Sequence, residues 1–411
     1  MRIATYNAEK MGQCNKKIVL NMIRFHPGIS RRDLAETVGL DPSTVTKIIR
    51  DLQLRGWVRE VGCDGHLQPG RPAIKLEVVK ETAVALAVEM SVKRNCFALG
   101  YLDNDIDKES FFSFQTPPEK SVKAYFDALA AHVSSRLTPE TLRKLDAICV
   151  AVPGTVEKES NVLRYVPHMQ WHGVDLESEL RLRLPCIDNC GVEILAVNKA
   201  KLGLLAEKTL NREIGNMKNG VYLYISQGVG GALMFDEKIY HGSNNTAGEI
   251  GRMTVGSGCG PCGRGVAGCL EAYVSIEFMV EAYEKRYGVL GGDISDRFDA
   301  LMKMGEALDP KTDAVFDEIR DYLVIGIGNI VNALDPDFVM IGGMGARFPD
   351  RFIEKIGEGV YGQLLYPREG SPRILKGSTD VDALILRGAT LIAMDGFVEK
   401  LFAAEEGETD R

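Results

Sequence analysis

The spacing of apolar residues changes character along the chain. Over NKKIVLNMIRFHPG, Ile18, Val19, Met22, Ile23 and Phe25 recur at helical intervals, and Pro27-Gly28 stops the run. Ser30 is placed to cap a short second helix, RRDLAETVG, that Gly39 closes. Asp41-Pro42 opens a third, PSTVTKIIRDLQLRG, whose Val45, Ile48, Ile49 and Leu52 face inward. WVREVGCDGHLQPGRPAIKLEVV then predicts two strands around a glycine-rich tip. Helices joined by a short glycine-containing turn, followed by a hairpin, predict a winged helix-turn-helix over residues 1–80.

Beyond about residue 82 the pattern becomes α/β. AVALAVEMSVKRNCFALGYLD predicts two strands turning near Lys93-Arg94, and LDAICVAVPGTV a buried strand entering a Pro-Gly loop. GVYLYISQGVGGALMFDEKIYHG predicts a hairpin. DEIRDYLVIGIGNIVNALDPDFVMIGGMGA predicts a long helix, a turn at Asp335-Pro336 and a strand. Strands alternating with helices indicate layered α/β architecture. The segment divides into two unlike halves, which predicts two lobes with a cleft between them, over 81–195 and 196–411.

Composition narrows the function. A chain of 411 residues suits two or three domains. It has no run of about 18 apolar residues to span a membrane, and MRIATYNAEK lacks the apolar stretch of a signal peptide. Nine scattered cysteines fit a reducing cytoplasm better than a disulfide framework. The net charge of −8 hides a division: residues 1–80 carry 14 Lys+Arg against 8 Asp+Glu, so the remainder is strongly acidic. A basic head on an acidic body suggests a polyanionic partner for the head or merely a solvated surface, and charge alone does not decide; with the winged helix-turn-helix pattern the expected partner is double-stranded operator DNA. Arg31 at the start of the second helix, and Ser43, Thr44, Thr46, Lys47 and Arg50 on the third, are the candidate contacts. Arg71 on the wing tip is placed to reach backbone or minor groove. A three-helix interaction module that never meets DNA is the alternative.

VAVPGTV, the GVGG hairpin, AGEIG, GCLEA and the helix–DPDFVMIGG unit occur in the order found in the ROK family, which covers sugar kinases and transcriptional repressors derived from them. The head, with GRPAIKLEV, resembles the repressor branch, and the likeness runs from about residue 15 to 395. It implies an actin-like, sugar-kinase-like body of two lobes with a C-terminal helix returning to the smaller one. It also implies a homodimer or higher homo-oligomer that represses carbohydrate-metabolism genes and senses a sugar or sugar derivative.

The resemblance also locates departures. Family kinases use the aspartate of an Asn-Asp pair as base. Here Asn198 is followed by Lys199, whose ammonium cannot take a proton from a sugar hydroxyl. The aspartate and glycines of the first phosphate loop become Glu89, Ser91 and Val92, and a backbone without glycine cannot approach phosphates closely. Gly228, Gly230 and Gly231 remain, as a phosphate loop or as a tight hairpin. No ATP binding and no kinase activity are expected. An active kinase with a fused head, or a repressor that ignores ligands, are the other readings.

By resemblance, sugar contacts fall on Gly154, His168, Asn198, Glu249 and Glu271. Trp171 is either a support for a sugar ring or a core residue. Arg252 stands where the family has a histidine and, with Lys199, brings two cations to the cleft. That favours an acidic ligand or a cleft without sugar binding, unless Arg252 forms a structural salt bridge. Cys259-x2-Cys262-x6-Cys269 offers three thiolates for a structural zinc completed by an outside ligand or water, or is a reduced glycine-rich loop.

Overall fold

The computed structural model describes residues 8–62, 74–158, 160–187, 191–257, 267–365 and 372–409. The head contains α1 (Ala8–Phe25), β1 (Ile29–Ser30), α2 (Arg31–Val38), α3 (Pro42–Leu54), β2 (Val58–Val61) and β3 (Lys75–Val78). Its turns obey the local chemistry. Ser30 Oγ accepts from the Asp33 amide at 3.1 Å, and Gly39 ends α2 in the left-handed region at φ 66°. Asp41 accepts from the Ser43 amide at 2.8 Å, with Pro42 opening α3. β3 pairs antiparallel with both β1 and β2, which ties the wing to the helix junction. Leu20, Ile23, Leu34, Val45, Ile49 and Leu52 are fully buried between the helices.

The body follows in chain order with β4 (Val84–Glu89), β5 (Arg94–Tyr101), β6 (Phe112–Gln115), α4 (Val122–Arg136), α5 (Pro139–Arg143), β7 (Ala147–Val152), β8 (Thr155–Val156), β9 (Val162–Val166), β10 (Trp171–Asp175), α6 (Leu176–Arg183) and β11 (Glu193–Asn198). Five of these strands form the first sheet, in the order β11-β7-β4-β5-β6, and β8–β10 form a small antiparallel sheet beside it. β11 crosses the boundary expected at residue 195, so Asn198 ends a strand of the first lobe.

The second lobe holds α7 (Lys199–Leu210), β12 (Gly220–Ile225), β13 (Val229–Phe235), β14 (Lys238–Tyr240), α8 (Glu271–Val274), α9 (Ile276–Tyr287), α10 (Ile294–Glu306), α11 (Pro310–Leu334), β15 (Phe338–Gly343), α12 (Asp350–Tyr361), β16 (Arg373–Lys376) and α13 (Val381–Thr409). Its sheet runs β14-β13-β12-β15-β16. In both sheets the first three strands form an antiparallel meander, and the fourth and fifth add parallel on the other side of the first. The halves that look unlike in sequence therefore share one topology.

α13 returns to lie on β4, β5 and β7, while α7 lies on β12 and β13, and the two helices pack against each other between the sheets. Gly388 of α13 permits this approach, because a Cβ there would collide with the Leu202 carbonyl of α7. α13 then continues to the head. Met394, Val398 and Phe402 join the same buried cluster as Leu20, Ile23 and Leu52, so head and body share a continuous core. Among the described residues, no helix is long and apolar enough to cross a membrane.

Candidate functional site

The expected nucleic-acid face is partly described. Ser43, Thr46, Lys47 and Arg50 are exposed on α3, and Thr44 is half-buried. The helical period that buries Val45, Ile48, Ile49 and Leu52 turns these residues outward. Arg31 is already engaged, donating to Glu60 at 2.6 Å and, weakly, to Gln53 at 3.4 Å. It fixes α2 to β2 and α3 as much as it faces solvent. Arg71 lies outside the described residues.

In the body, Gly154, His168, Asn198, Glu249, Arg252 and Glu271 line one cavity, with Ser91, Gln227 and Gly228. Five separate segments supply the six expected residues. Asn198 caps α7: its Oδ1 accepts from the Ala200 amide at 2.9 Å, and its Nδ2 donates to the Gly154 carbonyl at 2.9 Å. Gly154 is glycine because a Cβ would strike the Tyr165 carbonyl of β9. Glu271 opens α8 and accepts from the Val229 amide at 2.9 Å. Gly228 stands between functional side chains, where a Cβ would come within 2.9 Å of Glu271 Oε2 and 3.0 Å of His168 Nε2. Its smallness lets two polar groups converge, a requirement beyond that of a hairpin turn.

One open reading is decided and one expectation needs correction. Trp171 is 5% exposed and packs on Tyr125 and Phe126, and its Nε1 donates to the Lys120 carbonyl at 2.7 Å. It is core, not a platform for a ring. Lys199 does line the cavity but adds no free cation. Its Nζ donates to Glu89 Oε1 at 2.6 Å, with side-chain exposures of 8% and 6%. Arg252 stands 3.8 Å from Glu249, one turn away and about a third exposed. The cavity therefore carries no surplus of positive charge.

Glu89 also accepts from the Cys96 thiol at 3.3 Å, and burial and this carboxylate together push the thiol pKa far up. Across the Lys199–Glu89 pair, Ser91, Tyr224, Ser226 and Gln227 form a wall shared with a second cavity. That cavity is lined by Glu89, Asp293, Asp296, Asp299, Asp380 and Asp382 against Lys93, Arg94, Lys199 and Arg347. Carboxylates outnumber cations among these lining residues.

Sequence reasoning missed Lys201 and Asn245. Lys201 is 4% exposed, and its Nζ donates to the Asn245 carbonyl at 2.9 Å and to Asn245 Oδ1 at 2.7 Å. The available signal was a charge inside AKLGLLA, a helical segment otherwise apolar on every side. It also missed Arg24, a fully buried guanidinium of α1 that donates to Asn21 at 3.0 Å, to Asn104 at 2.6 Å and to Asp395 of α13 at 2.9 Å. Lys17 pairs with Glu399, and Trp57 meets Phe402 edge-on at 6.0 Å. α13 begins at the wall of the second cavity, where Asp382 pairs with Arg94, and reaches Asp395 about 20 Å further along its axis.

Of the expected thiol ligands, Cys259 and Cys262 lie outside the described residues. Cys269 is fully buried and bridges Thr254 immediately before α8. Among the described residues, Glu89, Cys96 and Asp382 lie close enough together to share a metal. They do not suit one, because Lys199 occupies Glu89, Arg94 occupies Asp382, and the thiol is held protonated.

A winged head joined to a two-lobed, kinase-like body with a small-molecule cavity defines a class, regulators built on a sugar-kinase frame. Residues 86–395 match the ROK family and residues 15–59 match a winged helix-turn-helix DNA-binding module. The chain belongs to the ROK family. It is 26% identical over 365 residues to the xylose repressor of Caldicellulosiruptor bescii, covering 86% of this chain and 88% of that one. It is 24% identical over 349 residues to the transcriptional dual regulator NagC of Escherichia coli, covering 82% of each. Its fold matches a ROK family transcriptional regulator homologous to the E. coli Mlc protein, with a TM-score of 0.74 and 20% identity over 95% of this chain and 99% of that one. It also matches a ROK family glucokinase from Streptomyces griseus, solved with glucose and AMPPNP, at 0.63 and 18% over 75% of this chain and 99% of that one.

Proposed function

We propose that this protein is a transcriptional repressor of sugar-metabolism genes whose body is a receptor without kinase activity. One observation carries the receptor reading. The position of the family's base holds an ammonium already locked to Glu89, while the residues expected to meet a sugar still surround one cavity. A buried ion pair leaves no group to remove a hydroxyl proton. Removing Lys199 and Arg252 from the count of free cations also favours an uncharged sugar over an acidic one. Glu249, Glu271, His168 and Asn198 supply acceptors and donors for neighbouring hydroxyls.

In this reading Ser43, Thr44, Thr46, Lys47, Arg50 and Arg71 face operator DNA, with Arg31 steadying the recognition helix. Ligand shifts the two lobes, α13 carries the movement through Asp395, Glu399 and Phe402, and the heads of a homodimer lose their half-site spacing. Cys259, Cys262 and Cys269 hold a structural zinc beside Glu271, with Cys269 at the buried base of the loop. The protein works in the cytoplasm.

The deciding experiment measures binding of purified protein to its own promoter fragment with D-xylose, D-glucose or N-acetyl-D-glucosamine. Sugar-dependent release and no ADP production from ATP are expected. ADP release above a no-protein control would sink the receptor reading. Promoter binding unmoved by any metabolite, with no thermal stabilisation, would favour a ligand-independent repressor.

A further inference from the structure

The N-cap and first turn of α7 anchor three neighbouring segments with three side chains. Asn198 holds the Gly154 carbonyl, Lys199 holds Glu89, and Lys201 holds Asn245. A buried ammonium is costly unless hydrogen bonds compensate for the lost water. Among the described residues, the acceptors of Lys201 are the two oxygens of Asn245 alone.

Asn245 sits in the left-handed region at φ 58° in the loop that delivers Glu249. Its Oδ1 also meets His241 Nδ1 at 3.0 Å, and its Nδ2 donates to the Val156 carbonyl at 3.0 Å. Val156 belongs to β8 of the first lobe, two residues past Gly154. The loop is pressed against β13, since a Cβ at Gly248 (φ 97°) would collide with the Gly231 carbonyl. One asparagine therefore joins α7, the Glu249 loop and the edge of the first lobe.

We propose that Lys201 and Asn245 are positioning residues, a clamp that sets Glu249 against the Gly154–Val156 edge and so fixes the width of the ligand cavity. The clamp rests on the receptor reading for its use, but not for its existence. Two measurements therefore keep the two apart, hydrogen exchange of the unliganded full-length protein and calorimetric titration with D-xylose, D-glucose and N-acetyl-D-glucosamine.

Lys201→Met and Asn245→Ala are expected to raise exchange at the amides of Ala247, Ile250 and Arg252 at least tenfold. Promoter binding without sugar should stay unchanged, which reports that the head is folded. Affinity for whichever sugar the wild type binds should fall about tenfold or more. Asn245→Asp keeps oxygens for Lys201 but loses the donor to Val156. It should restore exchange protection and leave affinity reduced. Unaltered exchange at 247–252 in both variants overturns the clamp, as does full affinity in a variant whose loop exchanges faster. Should the wild type bind none of the three sugars, the receptor reading fails, while the exchange comparison still decides the clamp.

Discussion

Lys199 Nζ lies 2.6 Å from Glu89 Oε1, both side chains almost sealed from solvent, at the wall between the two cavities of the body. Glu89 ends β4 of the first lobe and Lys199 opens α7 directly after β11, which with β4 flanks β7 in one sheet, so the pair sits at the junction where the first lobe passes into the second.

Removing one partner leaves the other buried and charged. Lys199→Met should destabilise the protein by about 3–5 kcal/mol, and Glu89→Gln by a similar amount. The double variant should recover much of that loss, because no isolated charge remains. Urea unfolding of the four proteins measures this as a cycle. Additive losses would show that the two groups do not meet.

Arg24 and Asp395 join the head to α13. Arg24→Leu should weaken the response of promoter binding to sugar by several-fold while leaving sugar affinity nearly intact, because Arg24 touches neither ligand. Titrating promoter affinity at zero and saturating sugar gives the coupling free energy directly. An unchanged coupling in Arg24→Leu and in Asp395→Ala would remove α13 as the link.

Lys47 and Arg50 are exposed on α3 and pair with no carboxylate among the described residues. Lys47→Ala should weaken all DNA sequences alike and lower the salt slope by about 1. A base contact by Arg50 should instead cost about 1–3 kcal/mol at one operator position. Fluorescence anisotropy at several salt concentrations separates the two behaviours.

Lys201 sets a pH dependence. Burial pushes its pKa from the ordinary 10.5 down to about 8, opposed by the charge of Glu249. Between these values the unfolded chain binds more protons than the native one, so this lysine makes stability rise with pH. Below about 8 both states are protonated, and the native state bears the full cost of the buried ammonium. His241, the other titratable group on Asn245, is held below its ordinary value by burial and is neutral in this range. The stability difference between wild type and Lys201→Met should therefore move towards the wild type as pH rises from 7.5 to 9.5. A flat difference in urea unfolding would place the ammonium in water.

If Cys259, Cys262 and Cys269 hold zinc, metal analysis should find about one ion per chain, lost in Cys262→Ser together with part of the sugar affinity. Metal-free protein with full affinity would make the loop a thiol-bearing turn.

The sequence alone determined everything governed by short-range rules. The helix boundaries of the head follow from Ser30, Gly39 and Asp41-Pro42, because caps and turn glycines act within a few residues. The long helix and strand around Asp335-Pro336 follow in the same way, and the fixed order of family motifs located the cavity residues. Tertiary structure decided what depends on partners far along the chain. Lys199 looks like a free cation until Glu89, 110 positions away, is brought against it. Trp171 can be read as a ring support or as core until Tyr125 and Phe126 enclose it. The shared topology of the lobes, the Lys201–Asn245 clamp and the run of α13 from cavity wall to head are likewise products of packing. A residue's charge is written in the sequence, but whether that charge is free, neutralised or structural depends on its neighbours in space and on the water they exclude.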